Sequence, residues 1–419
     1  MLDRILYHYK SGRYAGYAAV GIAAALPWST SVTGAFIAIW FVAYIPQFNR
    51  KAIFDEIFSW SGGLPLLLCG FAALGVFWSE ASWPDTVGGL RQFQKILFIP
   101  LTIAYFRHSD YGVSVIIAFA TSCTVLLLVA LAVTIWPEIQ WWQSRYPGVP
   151  VKTYISQSAV FGICGFCFLF VAWDKWKKQA RFFALMAFLL ALTFLADILF
   201  VITSRTELVV IAVLIVLLFV RLFGWRGFAA GIVVLTLLAF VAWNASSYLR
   251  GRVLESKSDI ESYFSEAQIS KDETILSEIS STAYRIEFLR RSYEFIALAP
   301  FFGHGTGSIK ALFQKSAAGK TGVSAAVTDK PHSQIASIAI QLGTAGAILL
   351  VAMWVVHALV FFSPGIVSSF GLVLVTHTVI GSLFNDHLFD FTEGWLYVCG
   401  VGVLRGTCLR RADLTAHKP

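Results

Sequence analysis

The sequence predicts an all-α integral membrane protein with about twelve transmembrane helices. Of its 419 residues, 57% are hydrophobic and only 13% are charged, and the mean hydropathy is +0.71. Soluble domains carry about 25% charged residues, so this composition excludes a soluble globular protein. Apolar runs separated by short polar turns recur along the chain, as expected of a bundle of membrane-crossing helices.

Twelve apolar runs are the predicted spans, and several are shorter than the roughly 20 residues of a full crossing, so the sequence does not define their ends. The runs are Tyr14 to Pro27, Val32 to Ile45, Leu64 to Trp78, Phe93 to Phe106, Val113 to Trp136, Ile155 to Trp173, Phe182 to Ile202, Leu208 to Val220, Phe228 to Trp243, His332 to Phe362, Val367 to Leu383 and Trp395 to Leu404. We therefore expect three parts: spans one to nine in 1–245, a long loop with amphipathic helices in 246–330, and spans ten to twelve with a tail in 331–419.

The distribution of basic residues predicts the orientation of these spans. Alternating the short loops places sixteen Lys and Arg residues on one side and only five on the other. Short loops rich in Lys and Arg stay in the cytoplasm, so both termini are predicted to be cytoplasmic and the long loop to be periplasmic. The net charge of +8 largely reflects this bias, so we expect contact with membrane lipids and no nucleic-acid partner.

The strongest candidate for catalysis is His332, at the start of the tenth span. Pro331 suits the first position of a helix, so His332 is expected in the first helical turn. A helix N-terminus and the neighbouring Lys330, a secondary candidate, both disfavour an imidazolium. The imidazole should therefore be neutral and able to accept a proton, as a general base must.

One face of the same helix carries small residues below His332. At 100° per residue they lie within 40° of the histidine: Ala336, Ala339, Gly343 and Gly346. This pattern is typical of close helix packing in a membrane, and it also suits a groove that leads up to a base.

Two arginines are candidate anion ligands at the same predicted surface. Arg205 lies in a short outer turn between two spans, where a guanidinium can bind a lipid-linked phosphate, Glu207 or a lipid. Arg285 lies in the apolar stripe of a predicted amphipathic loop helix, whereas Arg290 and Arg291 lie outside that stripe, as solvated arginines do. A guanidinium on the buried face needs an anion, so Arg285 is predicted to form a structural ion pair or to bind phosphate.

Other polar residues near this surface are secondary candidates. Arg91 and Lys95 are one helical turn apart, so both can point at one headgroup or phosphate, although lipid anchoring explains them equally well. His304 lies within Gly303 to Gly307, whose alternate glycines suit either an anion nest or a plain turn.

The turn from Asn385 to Asp390 adds Asp386 and His387 to these candidates. Carboxylates and imidazoles are common metal ligands. The sequence has no Asp-x-Asp motif and no clustered ligand pair elsewhere, so we favour hydrogen bonding to a sugar or to His332 and predict no metal.

Four segments resemble bacterial O-antigen ligases, the WaaL family of the O-antigen ligase/polymerase superfamily. The spacing from His332 and Ser333 to Gly343-x-x-Gly346 is similar to the family's histidine signature. The segment from Pro300 to Gly307 resembles the superfamily's Pro-x-x-Gly-x-Gly motif. The resemblance also implies roles for Arg205 and Arg285, since these ligases have functional arginines in a short periplasmic turn and in the loop before the histidine.

This resemblance implies a GT-C-type glycosyltransferase of the bacterial inner membrane that works at the periplasmic face without a cofactor. Such a ligase transfers O-antigen polysaccharide from undecaprenyl pyrophosphate to a sugar hydroxyl of lipid A-core, by a metal-independent inverting displacement. His332 would be the general base, and Arg205 and Arg285 would bind the pyrophosphate.

Other functions remain open from the sequence alone. An O-antigen polymerase or an O-linked protein oligosaccharyltransferase would use the same donor. A transporter would explain Asp197, a carboxylate within an apolar span. However, the sequence shows no inverted repeat, and its candidate residues gather at one surface instead of the midplane.

Overall fold

The computed structural model describes residues 2–136, 138, 146–202, 204–245, 250–251, 254, 257–258, 261 and 281–416. Within these residues the chain is helical and has no strand, which confirms the predicted all-α class. Most of the first half of the predicted long loop, together with Thr203 and Arg145, lies outside the described residues. The division into parts at 245 and 330 therefore stays a prediction.

The α-helices of the described residues are, in chain order, α1 (Leu2–Ala25), α2 (Thr30–Tyr44), α3 (Arg50–Ile57), α4 (Trp60–Leu74), α5 (Trp83–Phe93), α6 (Phe98–His108), α7 (Gly112–Ile135), α8 (Tyr154–Lys177), α9 (Arg181–Phe200), α10 (Arg205–Phe223), α11 (Arg226–Ala245), α12 (Ser281–Leu298), α13 (Ile309–Ala317), α14 (Gln334–Val360), α15 (Ile366–Ser382) and α16 (Phe391–Ala416).

Seven helical segments among the described residues are long and apolar enough to cross a membrane: Thr30–Gln47, Trp60–Trp78, Gly112–Ile135, Tyr154–Lys177, Arg181–Phe200, Arg205–Phe223 and Gln334–Val360. Two shorter helical stretches, Arg226–Val241 and Ile366–Ser382, are also apolar. This architecture is that of an integral membrane protein. The three other predicted spans lie in α1, in α5 with α6, and in α16, so the number of crossings stays a prediction.

The hydrophobic core is formed by helices from both halves of the chain. Helix α16 packs along α6, α14 along α4, and α8 along α9, with α15 between α8, α10 and α16. The carboxylate of Asp197 is buried at the α8 and α9 contact, beside Gln157. It therefore faces the protein interior, where a carboxylate within an apolar helix is expected to lie.

Three helices begin at the same end of the bundle, and each begins with a side-chain cap. Thr153 accepts a hydrogen bond from the backbone of α8, Ser204 from that of α10, and Ser333 from that of α14. Such caps satisfy N–H groups that have no partner within the helix. We call this the site end, because His332 lies there, and the opposite end the far end.

Helix α14 is broken at Gly343, where φ is +64° and the backbone leaves helical geometry. The chain around Phe301 fills the break, and a Cβ on Gly343 would collide with the carbonyl group of Phe301. Thr344 N donates to the carbonyl of Pro300 at 2.8 Å, and His304 N to that of Ile340 at 2.9 Å. The face of small residues therefore receives the glycine-rich segment, and the interpretation as an open groove is wrong.

The glycine-rich segment is also not an anion nest. The N–H groups of Gly305 and Gly307 donate to the backbone and side-chain oxygens of Gln341, and that of Thr306 donates to the carbonyl of Gly75. An N–H group that donates to the protein is not available to an anion. The alternate glycines instead allow close approach between backbones, so of the two interpretations offered by the sequence the plain turn is the one observed.

Candidate active site

Four parts of the chain meet at the site end: the start of α10, helix α12, the turn before α14 and the turn before α16. Arg205 is the first residue of α10, Arg285 lies in α12, and His332 precedes the cap of α14. The last turn contains Asn385 and Asp386. The structure thus brings the three main candidates from the sequence to one place.

His332 lies outside the helix, contrary to the sequence prediction. Its φ is +60°, and Ser333 is the cap, so α14 begins at Gln334 and not at Pro331. The backbone N–H of His332 donates to Oδ2 of Asp386 at 3.0 Å. A left-handed conformation is unfavourable for a non-glycine residue, and this hydrogen bond, made across the fold, helps to hold it.

The imidazole of His332 is half-buried and lies against Phe288 of α12, with ring centroids 6.2 Å apart and an angle of 24° between the planes. Burial lowers the pKa of His332, and the positive charges of Arg285 and Lys330 lower it further against the opposing effect of Asp390. The prediction of a lowered pKa for His332 is therefore confirmed. Its larger causes are burial and Arg285, however, and not the helix terminus. A neutral imidazole can accept a proton.

Arg205 and Arg285 approach each other at this end, and we call them the arginine pair. Nη1 of Arg205 donates to Oγ1 of Thr282 at 2.6 Å. Nη2 of Arg285 lies 3.5 Å from Oδ1 of Asn385. Burial lowers the pKa of Arg285, and the charge of Arg205 adds to this effect.

Arg285 forms no ion pair with any residue in the described part of the chain. Glu207, the acidic residue expected to compete for Arg205, has its carboxylate oxygens 3.1 Å from Nε2 of His377, in the interior between α10 and α15. The partly buried charge of Arg285 is costly without an opposite charge, and the charge of the nearby Arg205 adds repulsion. The arginine pair is therefore suited to an anion with several oxygens, such as a diphosphate.

Asp386 connects the turn before α16 to the turn before α14. Its side chain is 2% exposed, and its Oδ1 accepts a hydrogen bond from the hydroxyl of Ser337 while Oδ2 accepts from His332. Burial raises the pKa of Asp386 to about 7. Of the two roles expected from sequence, hydrogen bonding to His332 is present, and it involves the backbone and not the ring.

Lys330 and Lys95 hold the same turn from two sides. Nζ of Lys330 donates to Oδ1 of Asp390 at 2.7 Å. Burial lowers the pKa of Lys330, but the carboxylate of Asp390 raises it, and the net result is a raised pKa. Nζ of Lys95 donates to the carbonyls of Phe389 and Asp390, at 3.2 and 2.6 Å.

Lys95 is buried whereas Arg91 is exposed. The prediction that they point at one headgroup is wrong, because the helix narrows to a 3₁₀ turn at Gln94.

His387, Asp390 and Glu393 have potential ligand atoms within 4.8 Å of one another. Oε1 of Glu393 accepts from Ser156 at 2.7 Å, and Lys330 occupies an oxygen of Asp390. The ammonium groups near these carboxylates already supply positive charge, which disfavours a further cation at this position. Metal independence remains a prediction.

His304, a secondary candidate, and Arg291, predicted to be solvated, both have structural contacts. Nε2 of His304 lies 2.8 Å from the carbonyl oxygen of Phe295, so this nitrogen is bonded within the loop. Arg291, predicted to be solvated, is 0% exposed. Its guanidinium donates to the carbonyls of Phe313 and Ala326, both at 2.6 Å, and to Ser316.

The prediction for Arg291 was wrong because the polar side of α12 is covered. Helix α13 and the chain around Ala326 pack there, which a helical wheel of α12 alone does not show. Arg290, by contrast, is partly exposed, with ion pairs to Glu287 at 2.8 Å and to Glu294 at 2.5 Å. The sequence also missed Asn385 and Thr282, and neither has a local signal that separates it from other polar loop residues.

Comparison with known families identifies the segment that carries most of this site. Residues 190–351 match a family model described as O-antigen ligase. Over this segment the chain is similar to the O-antigen ligase/polymerase superfamily. No curated protein shows significant similarity to it. The resemblance found in the motifs is thus confirmed.

The superfamily match explains which residues the structure brings together. It covers Arg205, Arg285, the glycine-rich segment and His332, while Asp386 and the rest of its turn lie beyond it. Members of this superfamily are ligases and polymerases of the glycosyltransferase type, which act on lipid-linked polysaccharides at the inner membrane. The chain therefore contains the candidate base and both candidate anion ligands within the matched segment.

Proposed function

We propose that this protein is an O-antigen ligase that transfers O-antigen polysaccharide from undecaprenyl pyrophosphate to a sugar hydroxyl of lipid A-core. The observation that carries the proposal is the arginine pair beside His332. Arg205 and Arg285 come from helices that are distant in sequence, and Arg285 has no acidic partner in the described part of the chain. This arrangement supports a site for an anionic leaving group next to a proton acceptor.

The proposed reaction is a single displacement at the anomeric carbon of the donor sugar. Neutral His332 accepts the proton of the acceptor hydroxyl, and the hydroxyl oxygen forms a bond to that carbon. The bond from the carbon to the pyrophosphate oxygen breaks, and the electron pair leaves with the pyrophosphate. Attack from the side opposite the leaving group inverts the configuration.

The arginine pair supplies the electrostatic part of this mechanism. Negative charge grows on the departing pyrophosphate, and preorganised donors aimed at developing charge are often the largest contribution to catalysis. Two guanidinium groups can each bind oxygens in a fixed fork geometry. With this charge already in place, we propose that no metal ion is needed.

We further propose that the site end faces the periplasm and that both termini are cytoplasmic. The basic residues of the short loops support this orientation. Lys175 and Arg411, for example, lie near the far ends of α8 and α16. The donor would then be reached from the leaflet in which the lipid-linked glycan is exposed to the periplasm.

The test is transfer by the purified protein in lipid vesicles that contain undecaprenyl-pyrophosphate glycan. Lipid A-core is offered as acceptor, in parallel with a pilin-like protein and with a second lipid-linked glycan. We expect glycan to appear on lipid A-core only. Transfer to the protein or to the second glycan would instead make the chain an oligosaccharyltransferase or a polymerase, and no transfer to any acceptor would reject the proposal.

A further inference from the structure

An apolar cavity of about 470 Å³ lies inside the bundle, away from the candidate active site. It runs beside α1, α2, α6, α7, α8, α15 and α16, and nearly all the atoms that line it are apolar. Thr102 is among the lining residues, but its hydroxyl donates to the carbonyl of Phe98 at 2.8 Å. A cavity without polar partners does not hold ordered water, so its natural content is hydrocarbon.

The cavity follows α16, and we call it the slot. It extends from Trp395 to Arg411, which is 16 residues or about 24 Å at 1.5 Å per residue. One leaflet contributes about 15 Å of the roughly 30 Å hydrocarbon core of a bilayer. The slot is therefore long enough for the acyl chain of one lipid.

A lysine that is hydrogen-bonded within the protein lies at the site end of the slot. At the site end, Nζ of Lys152 donates to the carbonyl of Leu26 and, at 3.0 Å, to Oγ1 of Thr392. The lining of the slot includes Leu26 and Trp395 at this end, but none of Arg205, Arg285 and His332. The slot therefore does not extend the place where the arginine pair would bind a donor headgroup.

At the far end, Lys175 and Arg411 line the slot. Neither forms an ion pair with another described residue, whereas the neighbouring Asp174 is already bound by Lys178 at 2.8 Å. An apolar slot with two available cations at its mouth is complementary to a lipid with a negatively charged headgroup.

We propose that the slot holds one acyl chain of an anionic phospholipid from the leaflet at the far end of the bundle. Its phosphate lies at Lys175 and Arg411, and its chain fills the space between α7, α8 and α16. The lipid acts as part of the folded structure, because an unfilled cavity of this size would leave many side chains without packing partners. The proposal does not depend on the reaction that the protein catalyses.

The test uses phosphatidylglycerol with a photoreactive diazirine in its acyl chain. The full chain is reconstituted in phosphatidylcholine vesicles that contain the probe, irradiated, and mapped by mass spectrometry of its peptides. We expect labelling at half-buried slot residues such as Cys167 and Cys399, and competition by unlabelled phosphatidylglycerol but not by added phosphatidylcholine. Equal competition by both lipids would overturn the headgroup assignment.

Two sets of variants locate the chain and the headgroup. Ala120→Trp fills the slot from α7 and should reduce labelling of Cys167 and Cys399 to background, whereas Leu128→Trp, on the lipid-exposed face of the same helix, should not. The surface changes Lys175→Gln and Arg411→Gln keep the slot intact and should each lower the preference for phosphatidylglycerol about fivefold. Unchanged labelling in Ala120→Trp, or unchanged lipid preference in the charge variants, would overturn the proposal.

Discussion

The carboxylate of Asp386 accepts the backbone N–H of His332 at 3.0 Å, across 54 residues of sequence. The same carboxylate accepts the hydroxyl of Ser337 in the first turns of α14. Asp386 therefore ties the candidate base, in its left-handed conformation, to the helix that follows it. We therefore propose that Asp386 positions His332 and does not contact the substrate.

This relationship predicts different effects for two substitutions at Asp386. An Asn side chain can accept from His332 through its oxygen and donate to Ser337 through its amide, so Asp386→Asn should retain most of the transfer activity. Asp386→Ala removes both contacts and should lower kcat about 10- to 100-fold, with a smaller change in the KM of the donor. Kinetics of the two variants at matched expression test this; equal losses would exclude positioning by hydrogen bonds.

The same pair predicts a pH dependence of stability. Because burial raises the pKa of Asp386 from 3.8 to about 7, the folded state binds this proton more tightly than the unfolded state does. The stability contributed by Asp386 is full below pH 3.8 and is lost as the pH rises to about 7. In thermal unfolding experiments, the stability of Asp386→Asn should therefore fall less than that of the wild type as the pH rises through this window. Identical pH profiles would contradict the buried carboxyl.

His332→Ala should leave folding intact and lower transfer about 10²- to 10⁴-fold, the usual contribution of a general base. Because the pKa of His332 is lowered, the acid limb of the wild-type activity profile should lie below pH 6.5. His304→Gln is the matched control, since its side chain can still donate to the carbonyl of Phe295. Near-normal transfer by His332→Ala would remove the base from the mechanism.

Lysine should not replace either member of the arginine pair. A guanidinium can form two parallel hydrogen bonds to a diphosphate, and an ammonium cannot. Arg205→Lys and Arg285→Lys should therefore bind undecaprenyl-pyrophosphate glycan almost as poorly as the alanine variants. Arg91→Lys, an exposed change at the same end, is the control. Donor binding and transfer that remain at the wild-type level in both variants would reject the pyrophosphate clamp.

Arg291 should matter for stability and not for donor binding. Arg291→Met leaves the carbonyls of Phe313 and Ala326 without their donor, so the loop should lose about 2–5 kcal/mol of stability. Limited proteolysis and thermal unfolding should show an early opening of the segment that contains α12 and α13. Lys315→Met, an exposed change on α13, should have no such effect, and similar behaviour of the two variants would contradict the buried role of Arg291.

Transfer should persist in an excess of chelator, because the arginine pair already supplies positive charge at the leaving group. The measurement is the transfer rate before and after divalent ions are stripped, with Mg²⁺ or Mn²⁺ added back. Loss of activity that these ions restore would instead make His387, Asp390 and Glu393 the ligands of a metal ion.

Local sequence information was enough to predict the helical class and the main candidates of the site. Most residues of each predicted apolar run are helical, because hydrophobicity and length are properties of a single segment. Arg205, Arg285 and His332 were identified individually, since each breaks the pattern of its own segment. The family match over residues 190–351 agrees with this local pattern.

Only the tertiary structure decided how these residues are held, because the contacts that hold them join distant segments. The buried state of Arg291 depends on α13, and the conformation of His332 depends on Asp386, 54 residues away. The pairing of Glu207 with His377 spans 170 residues. The hydrophobic pattern of one segment specifies which side becomes apolar, but not which polar group from another segment will complete its hydrogen bonds.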